Sequence, residues 1–208
     1  MTKEGLLVVI SGPSATGKGT VCKALLDKES QIYYSISATT RFPRPGEEDG
    51  INYFFLDRGK FEEMIAADEF LEWAEVYGNY YGTPKSKVCE ELSKGRNVIL
   101  EIDIQGALKV KNKSPYGVFI FIMPPSLEEL EARIRKRGTE TEEVIQKRLG
   151  CARAEIAALS QYHYVVINDE VEKAVEKIMA IIIAEKSRVD RNPDLITKQI
   201  EKIKEDCN

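Results

Sequence analysis

The stretch Gly12-Pro13-Ser14-Ala15-Thr16-Gly17-Lys18-Gly19-Thr20 constrains the fold of this chain more than any other. It fits the pattern G-x-x-x-x-G-K, with the apolar run Leu6-Leu7-Val8-Val9-Ile10 before it and Val21, Leu25 and Leu26 at helical spacing after it. That order demands a buried strand, a tight glycine turn and a helix. Such a turn points its N–H groups at an anion, at the positive end of the helix that follows. Lys18 adds a full positive charge beside the cradle. A glycine turn that binds nothing is the bland alternative, and the flanking strand and helix weigh against it. The residue after Lys18 is Gly19, so the hydroxyl that commonly reaches Mg²⁺ in such loops is moved one place on, to Thr20.

With 208 residues the chain can bury a sizeable core, as one domain with insertions or as two small ones. A formal net charge of −4 leaves no basic excess to neutralise a nucleic-acid backbone, so a general nucleic-acid binder is not expected. No apolar run approaches the roughly 20 residues that cross a bilayer, and no membrane partner is expected. Cys22, Cys89, Cys151 and Cys207 form no C-x-x-C pair and His163 is the only histidine, which argues against zinc. Met1-Thr2-Lys3-Glu4-Gly5 leads straight into a strand, so the cysteines read as reduced thiols of a cytoplasmic protein. Oligomeric state is open.

Taken in order, residues 18–27 read as a helix and 32–37 as a short β segment. Thr39 to Gly50 holds two prolines and two glycines, which excludes a regular element, and it carries Arg41 and Arg44. Residues 51–55 resume a strand, a helix follows around Phe61, Met64 and Ile65, and Phe70 to Tyr77 alternates apolar and acidic residues. In that strand Glu72 and Glu75 fall on opposite faces, so at most one enters a shared cavity. A turn at Gly78-Asn79, a strand to Pro84 and a helix over 85–94 come next. Residues 97–102 read as a buried strand that delivers Glu101 and Asp103 to its carboxyl end, where open α/β sheets bind ligands. A helix over 105–111, a buried strand over 118–122 and a capping box from Ser126 to Glu129 follow. Arg133, Arg135, Arg137, Arg148 and Arg153 are five of eleven arginines, crowded into about twenty residues. They lie on two helices divided at Gly138-Thr139, the second with the apolar stripe Ile145, Leu149, Ala152 and Ile156. The arginine fork suits transferring phosphoryl groups, although such a pair of helices is often only a solvated face. Residues 164–167 read as a last buried strand, and Val171, Ala174, Val175, Ile178 and Ile182 as a helix packed on the sheet. His163 reads as structural. Strands alternating with helices make the class α/β, with a mainly parallel sheet.

At this point the chain closely resembles guanylate kinase, from about Leu6 to Lys186. The resemblance is carried by the phosphate loop, by Ser37-Ala38-Thr39-Thr40-Arg41-Phe42-Pro43-Arg44-Pro45-Gly46-Glu47 with Gly50 and Tyr53, and by Phe70-Leu71-Glu72-Trp73. Gly78-Asn79-Tyr80-Tyr81-Gly82-Thr83, Glu101-Ile102-Asp103-x-Gln105-Gly106, Arg137 to Glu142 and Ile167-Asn168-Asp169 complete it. It implies a P-loop nucleoside monophosphate kinase fold: a mainly parallel core over 1–36, 85–125 and 161–208, a β-rich GMP-binding insertion over 37–84, and a helical lid over 126–160. It also implies Mg-dependent transfer of the ATP γ-phosphate to GMP, with dGMP as a second acceptor. ATP would be held by Gly12, Pro13, Ser14, Ala15, Thr16, Gly17, Lys18, Gly19 and Thr20, with Asn168 near the adenine. GMP would be held by Ser37, Arg41, Arg44, Glu47, Tyr53, Glu72, Tyr81, Thr83, Glu101 and Asp103. Within that set Arg41, Arg44, Tyr53 and Tyr81 would take the phosphate, and Ser37, Glu72 and Thr83 the base. Lys18, Arg41, Arg133, Arg137 and Arg148 would act on the moving phosphoryl group. Gly19-Thr20 departs from the Lys-Ser-Thr form of part of the family and looks like adenylate kinase there, so Mg²⁺ would be held mainly by phosphate and water, with Thr20 a weak ligand.

These residue types suit guanine. A carboxylate such as Glu72 accepts both N1–H and the 2-amino group, and a hydroxyl such as Ser37 or Thr83 donates to O6. Adenine would leave that carboxylate unpaired, and sites of this kind reject the wrong base by about 10⁴ or more. Two other readings stay open in the sequence. One is a non-catalytic guanylate-kinase-like module that binds partner peptides, against which the intact Gly12, Gly17 and Lys18 argue. The other is a kinase for a different nucleoside monophosphate.

Overall fold

The computed structural model describes residues 5–76, 78–136, 141–194, 196–197 and 199–200. From the N-terminus the elements are β1 (Leu7–Ser11), α1 (Lys18–Lys28), β2 (Ile32–Tyr34), β3 (Ala38–Thr39), β4 (Phe54–Phe55), α2 (Arg58–Ala66), β5 (Phe70–Val76) and β6 (Asn79–Pro84). Then come α3 (Lys85–Ser93), β7 (Asn97–Glu101), α4 (Ile104–Lys113), β8 (Val118–Met123), α5 (Leu127–Lys136), α6 (Glu142–Ile156), a 3-10 turn at Ala157–Gln161, β9 (Tyr164–Ile167), α7 (Val171–Lys186) and a last 3-10 turn at Val189–Arg191.

Strand β1 is buried at every position, and a strand with no polar face has to be covered on both sides. It is the middle of a five-stranded parallel sheet ordered β2-β7-β1-β8-β9. One face is covered by Val21, Cys22 and Leu25 of α1 with Ala174, Val175, Ile178 and Ile182 of α7. The other is covered by Val88 of α3, by Ala107 and Val110 of α4, and by Leu71 of β5. The alternation along β1 decides which side chain goes where: Val8 and Ile10 face α1 and α7, Leu7 and Val9 face α3 and α4. Because β1 sends its connection to one edge and β8 to the other, a crevice opens beyond their carboxyl ends.

The second sheet, β4-β3-β6-β5, lies within residues 38–84 and has its own small core, in which Phe61 of α2 stacks on Phe70 with ring centroids 4.4 Å apart. Leu71 ties this sheet to the core, since the register shift between Phe70 and Glu72 turns it toward Val110 and Phe119 while Glu72 and Ala74 keep the inner face.

Some elements differ from the pattern in the sequence. The strand over 51–55 joins the sheet only at Phe54–Phe55, with Tyr53 in an isolated bridge to Asp49. Ahead of it, Ile51 and Asn52 donate N–H to the Glu48 carbonyl, and the Asn52 side chain accepts from Glu48 N–H at 2.9 Å, so local hydrogen bonds win the backbone for a turn. The segment over 32–37 stops as a strand at Tyr34, from where the chain crosses to the second sheet. Strand β9 is an edge rather than a buried strand: Val166 is buried, but Val165 and Ile167 are 49% and 45% exposed. The capping box is half formed. Ser126 Oγ accepts from Glu129 N–H at 3.1 Å, whereas the Glu129 carboxylate receives Arg133 Nε at 2.9 Å.

Candidate active site

The loop after β1 owes its shape to backbone that a side chain would obstruct. Gly12 has φ +143°, and a methyl carbon there would lie 2.2 Å from the Ile122 carbonyl oxygen, so only glycine lets the loop rise this close to β8. Ala15 is left-handed without being glycine, at φ 66°. It is held so by packing, because it is buried with Leu130 and Ile134 of α5 and Ile145, Leu149 and Ala152 of α6. Thr16 is fully buried and its hydroxyl donates to the Pro13 carbonyl at 2.9 Å. No acidic residue occupies the first turn of α1, which leaves the positive end of that helix uncompensated by its own sequence.

Lys18 Nζ donates to the Gly12 and Pro13 carbonyls at 2.7 and 2.9 Å. Burial pulls its pKa down, and the carboxylates of Glu101, Glu155 and Asp103 pull it back up. Two of the arginines singled out in the sequence converge on this loop. Arg148 donates to Ser14 Oγ at 3.1 Å, and Arg133 donates to the Thr16 and Asn168 carbonyls at 3.4 and 3.1 Å. Asn168 donates its side-chain N–H to the Thr16 carbonyl at 2.7 Å, so its amide grips the loop itself. Arg137 lies outside the described residues.

A cavity between the two sheets is lined by Tyr34, Ser37, Glu47, Asn52, Tyr53 and Glu101. Arg41 is aimed there by Glu47, whose two carboxylate oxygens both accept from Nη2 at 2.9 Å, and by the Phe42 carbonyl. Its guanidinium carbon stands 5.5 Å from the Tyr53 ring centre, and the Tyr81 ring meets Tyr53 edge-on at 6.0 Å. The pKa of Arg41 is raised: burial opposes its charge, and the Glu47 and Tyr81 side chains outweigh that. Arg44 is exposed and gives Glu47 its backbone N–H at 2.7 Å.

Deeper in the second sheet, Glu72 is 4% exposed and Thr83 fully buried, and Thr83 Oγ1 donates to Glu72 Oε1 at 2.8 Å. Ser37 directly precedes β3, and continuing the register that sets Ala38 opposite Gly82 puts it level with Thr83, which pairs with Glu72, so the three fall in one row. Glu75, one residue beyond Ala74, is exposed. Burial pushes the Glu72 carboxyl up to about 7; the Thr83 bond acts against the rise and the charge of Asp103 with it. Such a carboxyl is half-ionised near neutrality and ready for a ligand with adjacent donors.

The model of the family described as "Guanylate kinase" matches residues 4–185. The chain belongs to the guanylate kinase family. It is 65% identical over 196 residues to a guanylate kinase of Caldanaerobacter subterraneus subsp. tengcongensis, covering 94% of this chain and 95% of that protein. It is 64% identical over 188 residues to one of Clostridium perfringens, covering 90% and 87%. The crystal structure of guanylate kinase from Anaplasma phagocytophilum superposes with a TM-score of 0.76 at 36% identity, over 91% of this chain and 90% of that one. The α/β class and the parallel sheet expected from the sequence are those of the family, whose members are ATP:GMP phosphotransferases.

Asp103 caps α4, accepting from Gly106 N–H at 2.8 Å, and so holds the helix beside Glu72. Thr83 gives its hydroxyl hydrogen to Glu72, which leaves Ser37 as the hydroxyl of the pair with a donor to offer. Glu101, at the end of β7, accepts from Tyr34 O–H at 2.9 Å and lies beside Gly19, where a methyl carbon would be 3.6 Å from both of its oxygens. Thr20 is exposed. Three residues of this region escaped the sequence reading. Tyr34 lines the cavity and holds Glu101. Cys22 meets the same carboxylate, and with burial this raises its thiol pKa. Glu155, half-buried on α6, faces Lys18 and the Ser14 N–H, and burial raises its carboxyl. Helical spacing would have found Glu155, seven residues beyond Arg148 and so on the same face of α6. His163 is structural: its Nδ1 accepts from Phe119 N–H at 3.4 Å, away from both clusters.

Proposed function

We propose that this enzyme moves the γ-phosphoryl group of ATP to GMP through two sites: the loop over residues 12–20, with the arginines of α5 and α6, and the cavity between the sheets. The observation that carries the reading is the Ser37, Thr83, Glu72 row, a buried carboxylate with its hydroxyls, set in the sheet that also bears Arg41 and Tyr81. Glu72 accepts guanine N1–H and the 2-amino group, and Ser37 donates to O6. The trio addresses the base rather than the sugar, which supports dGMP as a second acceptor. Arg41 and Arg44, with the Tyr53 and Tyr81 hydroxyls, take the acceptor phosphate, and Glu47 keeps Arg41 aimed.

An oxygen of the GMP phosphate attacks the γ-phosphorus, and the bond from that phosphorus to the β-phosphate oxygen breaks. The attacking oxygen is already anionic, so no general base is required; position and charge neutralisation do the catalysis. Lys18, Arg133, Arg137 and Arg148 hold the developing charge, and Asn168 keeps the Thr16 carbonyl turned away from the phosphates. Residues 126–160 serve as the lid and 37–84 as the acceptor domain. The residues present fit Mg²⁺ of the mostly hydrated kind. Among the described residues no three His, Cys, Asp or Glu gather as a metal cage, but a cation that keeps its waters and binds phosphate needs only a nearby carboxylate and hydroxyl, here Glu101 and Thr20. Held there by Glu101 and Thr20, Mg²⁺ would supply positive charge against the phosphates of ATP. Cys22, Cys89 and Cys151 are free thiols, which suits a cytoplasmic enzyme; among the described residues no helix is long and apolar enough to cross a membrane.

A coupled assay of ADP formation with GMP, AMP, UMP and IMP tests the reading. ADP should form with GMP at kcat/KM about 10⁴ or more above AMP. Equal turnover of AMP would sink it.

A further inference from the structure

Gly106 sits in the first turn of α4 at ordinary helical backbone, outside the residues of positive φ. Glycine is among the poorest helix formers, so neither turn geometry nor propensity accounts for it. Space does. A methyl carbon at 106 would lie 2.7 Å from Glu72 Oε2 and 3.1 Å from its carboxyl carbon. Glu72 has little freedom to retreat, because Thr83 holds Oε1 and β5 is packed on α4 through Leu71, Ala107 and Val110. Gly106 is itself fixed by the bond from its N–H to Asp103. A helix of the core therefore supplies the seat for a carboxylate that belongs to the second sheet.

We propose that Gly106 is a positioning residue for acceptor specificity: its missing side chain lets α4 back the Glu72 carboxylate and sets where that carboxylate meets guanine. This rests on the reading of Glu72 as the base-reading group. A base held by the second sheet must stand at a fixed distance from the phosphate loop of the core, or the acceptor oxygen misses the line of attack. The contact at 106 fixes that distance at the base end. An added methyl pushes the carboxylate off its place without touching the ATP loop.

Gly106→Ala, Glu72→Ala and the double variant, assayed for KM and kcat with ATP, GMP and IMP and for melting temperature, test the proposal. Gly106→Ala should raise KM for GMP about tenfold or more, leave KM for ATP within about twofold, and shrink the preference for GMP over IMP. In the Glu72→Ala background the same change should leave KM for GMP unmoved and raise the melting temperature, since the methyl finds room and alanine favours the helix. The role is overturned if Gly106→Ala leaves KM for GMP and the GMP preference unchanged while Glu72→Ala raises that KM. It is equally overturned if Gly106→Ala costs the same factor in both backgrounds. Should Glu72→Ala itself leave GMP use unchanged, the base-reading role falls and the proposal with it. If Gly106→Ala does not fold, recovery of folding in the double variant supports the clash, and a double variant that also fails to fold overturns it.

Discussion

Lys18 meets the carbonyls of Gly12 and Pro13 at hydrogen-bond distance while Glu101 and Glu155 face it from two other elements, so its charge is held at the loop by groups a phosphate must outcompete. Its loss removes a full charge from the transition state: Lys18→Met should lower kcat by about 10² or more in the coupled assay, and near-normal turnover would contradict the mechanism. Asn168 works by a different route. Its amide bond to the Thr16 carbonyl is buried, and a methyl carbon on Gly17 would lie 2.5 Å from its Nδ2, so side chain and loop are fitted to each other. Asn168→Ala should raise KM for ATP about tenfold by loosening the loop, with KM for GMP little changed. A dominant role at the adenine would instead appear as altered selectivity among nucleoside triphosphates, which titration with GTP and ITP would reveal.

At the level of elements, the helices α5 and α6 carry Arg133 and Arg148 to the loop by an apolar joint. Ala15 enters the cluster of Leu130, Ile134, Ile145, Leu149 and Ala152, so the left-handed turn of the loop and the docking of the helix pair are one packing problem. Cutting back that joint should be felt in ATP use before it is felt at the acceptor. Leu149→Ala removes about 2–5 kcal/mol of packing, should speed amide hydrogen exchange along α6, and should raise KM for ATP more than KM for GMP. Equal effects on both substrates would mean that the joint serves the whole fold. The acceptor side is joined otherwise, through Leu71 and the Glu72 to Gly106 contact between β5 and α4.

For the molecule as a whole, a buried acid in the second sheet links pH to stability. The Glu72 carboxyl rises from 4.5 to about 7 in the fold, mainly through burial. A raised carboxyl favours the folded state below about pH 4.5, and this contribution is lost as the pH climbs to about 7, a change of about 3 kcal/mol at most. Glu72→Gln carries no such proton. Its melting temperature should therefore gain on the parent protein by several degrees between pH 5 and pH 8, measured by calorimetry with no nucleotide present. Saturating GMP should close that gap at pH 8, because guanine stabilises the ionised carboxylate and cannot do so for glutamine. A gap that is constant with pH would show that Glu72 does not titrate in this range.

The sequence by itself determined the local grammar: the strand, loop and helix around Lys18, the alternation that sets Glu72 and Glu75 on opposite faces, the apolar stripe from Ile145 to Ile156, and the α/β class. These follow from period and from φ restrictions, which act over a few residues. Tertiary structure decided what those residues face. Ser37 and Glu72 are thirty-five positions apart, and only the pairing of β3 with β6 and of β6 with β5 brings them into one row. Glu155 became a neighbour of Lys18 through the docking of α6 on Ala15 of the loop, and Tyr34 of Glu101 through the pairing of β2 with β7. Strand β9 reads as buried from its letters and turns out half-exposed because it has a neighbour on one side alone. In the phosphate loop the glycines were legible as turn formers, but that Gly12 makes room for the Ile122 carbonyl, and Gly106 for a carboxylate, depends on close approach between distant segments, which local pattern does not encode.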